Sequence, residues 1–156
     1  AKCWIEKKSN QGNYVDFQVG PDEHGYLRLF IRGRVQNRAT TIRANTTLVV
    51  DSRWHLIIIT RDNNTINCYV DGVTQGLKFY DSVGEYKPEA EYLLQPIDSS
   101  NLTNSKVLLC ARKTYDSSTN TNKLVDYTEA EMSYLKIYNQ ALDSEFRSVL
   151  QDNFSV

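Results

Sequence analysis

A chain of 156 residues with 40% apolar and 24% charged residues has the make-up of an ordinary water-soluble globular domain. The formal net charge of -1, with basic residues scattered and no recognition helix or zinc-finger spacing, argues against a nucleic-acid binder. No run is long and apolar enough to insert into a bilayer as a helix, and Lys2, Glu6, Lys7 and Lys8 interrupt any secretory leader at the start.

Residues 1–7 read as a short strand around Cys3, Trp4 and Ile5, followed by a turn at 9–13. Residues 14–19 alternate, with Val15, Phe17 and Val19 on one face and Tyr14, Asp16 and Gln18 on the other. A loop bounded by Gly20 and Gly25 follows. Residues 26–32 alternate again: Leu27, Leu29 and Ile31 point to a core, and Tyr26, Arg28, Phe30 and Arg32 point away from it. The two segments predict a hairpin. The threonines and Arg43 of 40–43 predict an exposed edge strand, and 47–50 a further short strand.

The densest signal is 54–72, WHLIIITRDNNTINCYVDG. Three consecutive isoleucines, β-branched and stiff at χ1, favour a strand. Apolar residues on both faces of 54–59 predict a central strand with cover on each side. The Arg61 to Thr65 cluster turns the chain, and Ile66, Cys68 and Val70 return on one face, with Asn67, Tyr69 and Asp71 on the other. Asp71-Gly72 is a turn dipeptide that tolerates positive φ. Residues 76–79 continue the alternation through Leu77 and Phe79. A short strand or turn is expected near 92–94, a strand at 106–111 and a polar surface loop at 115–122. The last strands are expected at 124–127 and 131–138, with Leu135 and Ile137 inward. Asp143 caps a helix over 144–150 whose Phe146, Val149 and Leu150 form an apolar stripe for packing on the sheets. With no internal repeat, 1–156 reads as one all-β sandwich of two antiparallel sheets with a short C-terminal helix, either a mature form or a domain cut from a longer protein.

The Trp54-His55 pair, its apolar strand, the Arg61-Asp62 turn and the Tyr69-Val70-Asp71-Gly72 end resemble the laminin-G-like, concanavalin A-like jelly rolls. Leu135 to Asp143 (LKIYNQALD), with Glu145 and Phe146 after it, is similar to the last strand and closing helix of that family. The resemblance implies a jelly roll whose sites lie on a sheet face or on rim loops. Some rim loops of such domains hold calcium through Asp and Asn oxygens. Candidates for that role are Asp22 with Glu23, Asp81 with Glu85, and Asp116 near Asn120. It also implies that His55 is a packing residue; His24, in its glycine-bounded loop, reads as solvated.

No nucleophile elbow, phosphate loop or metalloprotease helix is present in the sequence. Glycanases need two facing carboxylates. Glu89 with Glu91 and Glu129 with Glu131 have a shared-face spacing, but neither pair has the apolar framing that raises a carboxylate pKa. A non-catalytic binding module is therefore expected. Tyr26, Arg28, Phe30 and Arg32, with Tyr14, Asp16 and Gln18 on the neighbouring strand, offer flat rings and directed hydrogen bonds suited to a sugar. Asn67 and Tyr69 present a similar face elsewhere. The expected ligand is a glycan or cell-surface glycoconjugate in adhesion or attachment, the alternative being a protein-interaction or structural module of the same fold, with a glycan-cleaving enzyme ranked third. A long loop at 80–104 folding over this face is the competing reading. Basic residues outnumber acidic ones from Ala1 to Arg61, which would draw an anionic partner if folding keeps them together. Such a role implies an extracellular or surface-exposed protein, with sequons at Asn45, Asn63, Asn101 and Asn153. The odd set Cys3, Cys68 and Cys110 also suits the cytoplasm and leaves open one bridge plus one thiol.

Overall fold

The computed structural model describes residues 3–8, 15–32, 39–62, 65–81, 84–87, 107–110, 112–125, 130–138 and 140–154. In chain order the strands are β1 (Ile5–Lys8), β2 (Val15–Pro21), β3 (Tyr26–Arg32), β4 (Ala39–Leu48), β5 (Ile57–Asp62), β6 (Thr65–Val70), β7 (Val73–Thr74), β8 (Leu77–Tyr80), β9 (Tyr86–Lys87), β10 (Val107–Leu109), β11 (Arg112–Asp116) and β12 (Thr121–Val125). One helix follows, α1 (Ser144–Asp152). Seven strands form an antiparallel sheet in the order β10-β1-β2-β3-β4-β8-β9, and β5-β6-β7 form a second antiparallel sheet. A separate hairpin, β11-β12, stands beside them. The architecture is an all-β sandwich with a short C-terminal helix.

Period-two alternation sets the two layers face to face. Leu27, Leu29 and Ile31 of β3, Ile42 and Ala44 of β4 and Phe79 of β8 cover the inner side of the large sheet. Against them lie Ile66, Cys68 and Val70 of β6, with Ile57 and Ile59 of β5 packed alongside. The register places Ile57 opposite Val70 and Ile59 opposite Cys68, so each pair shares the core face. The chain turns between β6 and β7 through Asp71 (φ 51°) and Gly72 (φ 79°). Two successive positive φ values give the twist that a two-residue hairpin turn needs.

Several sequence expectations are corrected. The 40–43 stretch is not an exposed edge: β4 runs unbroken from Ala39 to Leu48 between β3 and β8, absorbing the strand expected at 47–50, because Ile42 and Ala44 alternate into the core beneath its polar residues. The Ile-rich strand begins at Ile57 rather than Trp54 and, among the described residues, pairs on one side only, with β6. The polar run 115–122 is a hairpin tip, with Tyr115 opposite Asn122 and the turn at 117–120. Its composition fits the turn, but pairing continues into it from both sides. The strand expected near 92–94 lies outside the described residues.

The largest difference is at 131–138, which pairs with no described strand. Leu135 is exposed rather than inward, and Ile137 is 73% exposed. β5 keeps a free edge among the described strands, but the segment forms no ladder with it, so its alternation is left without a hydrogen-bonding partner. A cavity of about 980 Å³ lies between this segment and β5, lined also by Trp4, Val19 and Trp54. The helix is capped as expected: the Asp143 carboxylate accepts from the Phe146 N–H at 2.8 Å. Its seating differs. Phe146 and Val149 are exposed. The helix meets the small sheet through Arg147, whose guanidinium lies 4.4 Å from the Tyr69 ring centre. Gln151, one turn on, sits against Gly72.

His55 fastens the start of β5 to the end of β6. Its Nδ1 is 2.7 Å from Asp71 Oδ2 and its Nε2 is 2.7 Å from Asp51 Oδ1, in a side chain only 5% exposed. The other Asp71 oxygen accepts the Leu56 N–H at 2.8 Å. Burial works against the charged imidazole, but the two carboxylates outweigh it and hold the His55 pKa above its ordinary value. Asp51 is pulled down to about 2, first by its bond to Arg53 and then by His55. His55 thus fastens these two strand ends together.

Candidate functional site

The site is built on the outer face of the seven-stranded sheet. Because Leu27, Leu29 and Ile31 turn inward, Tyr26, Arg28 and Phe30 of β3 turn outward. The same rule applied to β4 and β8 turns Thr41, Arg43, Lys78 and Tyr80 outward, since Ile42 and Phe79 are core. Cross-strand register then arranges these residues in rows. Gln18 pairs with Phe30, Phe30 with Thr41, Thr41 with Tyr80 and Tyr80 with Tyr86. The adjacent row is Gly20, Arg28, Arg43 and Lys78. An aromatic-rich row therefore lies beside a cationic one.

The aromatic row is open at one end. Tyr86 is 55% exposed and its ring meets Tyr80 edge to face, with centres 6.0 Å apart. Phe30, Thr41 and Tyr80 are half-buried. At the other end Gln18 and Glu6 are buried, with Gln18 Nε2 donating to Glu6 Oε2 at 2.5 Å. In the cationic row, Arg43 lies 5.5 Å from the Tyr80 ring centre and donates to Glu23 Oε1 at 2.6 Å. That hydrogen bond is the main reason the Glu23 carboxyl sits below its usual range and Arg43 above its own. Asp22 Oδ2 is 3.9 Å from the same guanidinium.

Of the residues expected to bind, Tyr26, Arg28 and Phe30 share this face. Tyr14 lies outside the described residues, as do the side chains of Asp16 and Arg32. Tyr69 and Asn67 belong to β6, on the outer side of the opposite layer, where Arg147 covers the Tyr69 ring. The two sets are therefore separate surfaces. Thr41, Arg43, Lys78, Tyr80 and Tyr86 were not singled out by the sequence. The local signals for the first four are the alternating quartets Thr41-Ile42-Arg43-Ala44 and Leu77-Lys78-Phe79-Tyr80. Residues 88–106, which include most of the competing loop together with Glu89 and Glu91, lie outside the described residues, as does Glu129; Glu131 is exposed.

The calcium candidates do not converge. Asp22 accepts the N–H groups of His24 and Tyr26. Asp81 accepts that of Glu85, and Asp116 that of Ser118. Each carboxylate braces its own turn. Among the described residues no three His, Cys, Asp or Glu side chains are grouped to hold a metal ion. All three cysteines are free, with Cys3 and Cys68 buried.

Residues 1–92 match a laminin G-type family model described as the concanavalin A-like lectin/glucanases superfamily. The chain belongs to that superfamily. The match runs from β1 through β9, taking in the 54–72 motif and both rows of the outer face, whereas the similarity at 135–143 lies beyond it. No curated protein and no solved structure matches the chain. Membership supports a binding module built on this fold, and the superfamily's description spans lectins and glucanases alike.

Proposed function

We propose that the protein is a non-catalytic carbohydrate-binding module, used in adhesion or attachment at a cell surface or outside the cell. The observation that carries this reading is the row Phe30, Thr41, Tyr80 and Tyr86, held in register across four strands. Ring faces stack on the apolar faces of sugars, while Thr41 and the tyrosine hydroxyls bond to sugar hydroxyls. A sheet face holds such groups more rigidly than a loop, which lowers the cost of ordering them on binding. No member of either row lines the cavity beside β5.

A glycan array tests the proposal. Binding is expected, and Tyr86→Ala or Phe30→Ala should weaken it about three- to tenfold, the value of one aromatic contact. A clean array together with a purified protein partner captured by the same face would replace the reading with protein recognition. Hydrolysis of an array hit would replace it with a glycanase.

A further inference from the structure

We propose that residues 131–138 are a strap with a second, closed position, in which they lie along the free edge of β5 and seat Leu135 and Ile137 against Ile57 and Ile59. The inference is independent of the carbohydrate reading. Every residue from Glu131 to Tyr138 is exposed, and every one lines the cavity of about 980 Å³ that parts the segment from β5. Met132, Tyr134, Leu135, Ile137 and Tyr138 make this a contiguous apolar run in water. The opposite wall is unfinished as well. Ile57 and Ile59 pack on the core but are only partly buried. Among the described strands β5 pairs with β6 alone, so its outer edge offers backbone N–H and C=O groups to an extended segment.

The strap is also held beside that edge at one end. The Tyr138 ring meets Phe146 of α1 edge to face, with centres 5.5 Å apart. Arg147 donates to the Leu142 carbonyl at 2.7 Å, and its guanidinium rests over Tyr69 of β6. With that end fixed, only a short stretch has to be ordered for the strap to close. Period-two alternation selects the face that enters: Leu135 and Ile137 fill the cavity, while Tyr134 and Lys136 turn to water. Closed, the strap covers the edge of β5; open, it leaves that edge available to another chain.

Hydrogen exchange and limited trypsin digestion of the whole chain test this, because Lys136 is the one trypsin site between Lys123 and Arg147. Trp4 and Trp54, the two tryptophans of the chain, both line the cavity, so their emission reports its filling. A closed position favoured about tenfold should slow exchange in 131–138 about tenfold relative to an unstructured peptide of the same sequence. Ile137 is 73% exposed in the open position, so Ile137→Asp is harmless there, but its charge cannot enter an apolar cavity. That variant should exchange and be cut after Lys136 about tenfold faster, with redder tryptophan emission and unchanged exchange in β3 and β4. Ile137→Ser should move all three readouts the same way by less, and Tyr134→Ser, on the outward side, should leave them as in the wild type. Wild-type exchange in 131–138 at the unstructured rate, or Ile137→Asp behaving as the wild type, overturns the closed position. Equal effects from Tyr134→Ser and Ile137→Asp overturn the face assigned to the cavity, and the docking falls with it.

Discussion

The His55 fastener makes the fold sensitive to pH in a direction that can be worked out. An imidazolium can donate to both Asp51 and Asp71, whereas a neutral ring donates to one and turns a lone pair on the other. With its folded pKa above the unfolded value of 6.5, His55 contributes stability in full below about pH 6.5 and loses it as pH rises through the folded value. Asp71→Asn isolates this effect. Asparagine tolerates the left-handed backbone at φ 51°, so no strain is added, and its carbonyl can still accept the Leu56 N–H. What is lost is the bond between the imidazolium and a carboxylate. Such a bond contributes about 1.5–3 kcal/mol; with the Asp71 side chain 34% exposed, the lower end applies. At pH 5.5 the variant should therefore be less stable by about 1.5 kcal/mol, a fall in Tm of about 3–6 °C for a chain of this length. At pH 8.5 the difference should vanish or change sign, because the asparagine NH₂ donates to the bare Nδ1 of a neutral ring. Urea unfolding at both pH values, with the His55 titration followed by NMR, reads both quantities. An equal loss at the two pH values, or a wild-type His55 titrating below 6.5, would refute the argument.

Two further outcomes follow from the same structure. Asp143→Ala removes the N-cap bond to Phe146 and should cost α1 about 0.5–2 kcal/mol, seen as faster amide exchange in 144–152 with the sheets unaffected. Cys68 is buried and its thiol is pushed up to about 12 by that burial, and Cys3 is buried too, so a thiol reagent at pH 8 should modify Cys110 quickly and the other two only in denaturant; three fast thiols in the native protein would show that the layers open freely.

The sequence was most legible where a local pattern and a long-range contact agree. Leu27, Leu29 and Ile31 could be assigned to the core because nothing but alternation was needed, and Asp71-Gly72 because its turn is set by two residues. The reading failed where the answer depended on which edge a strand finds. Thr40 to Arg43 looked like an edge because its outward residues are polar, yet a central strand of a sandwich has an outward face too. Leu135 and Ile137 carried the alternation of a strand, but alternation assigns faces without supplying a partner. The helix was found by its cap and misjudged in its seating, since it meets the sheet through the Arg147 guanidinium over Tyr69, a contact that no apolar stripe registers.

The candidate site was half legible for the same reason. One strand shows its own outward residues, and Tyr26, Arg28 and Phe30 could be read directly; their neighbours Thr41, Tyr80, Arg43 and Lys78 come from segments up to about fifty positions away and meet them only through the ladder. That ladder is fixed from the opposite side. Leu29 facing Ile42, and Ile42 facing Phe79, are buried pairs, and a slip of one residue would expose them and turn the arginines and Tyr80 into the core. The cost of misplacing the core pairs is what holds the aromatic and cationic rows in line. The binding face therefore inherits its geometry from the hydrophobic register beneath it, and substitutions on the face can be made one at a time without moving the rest.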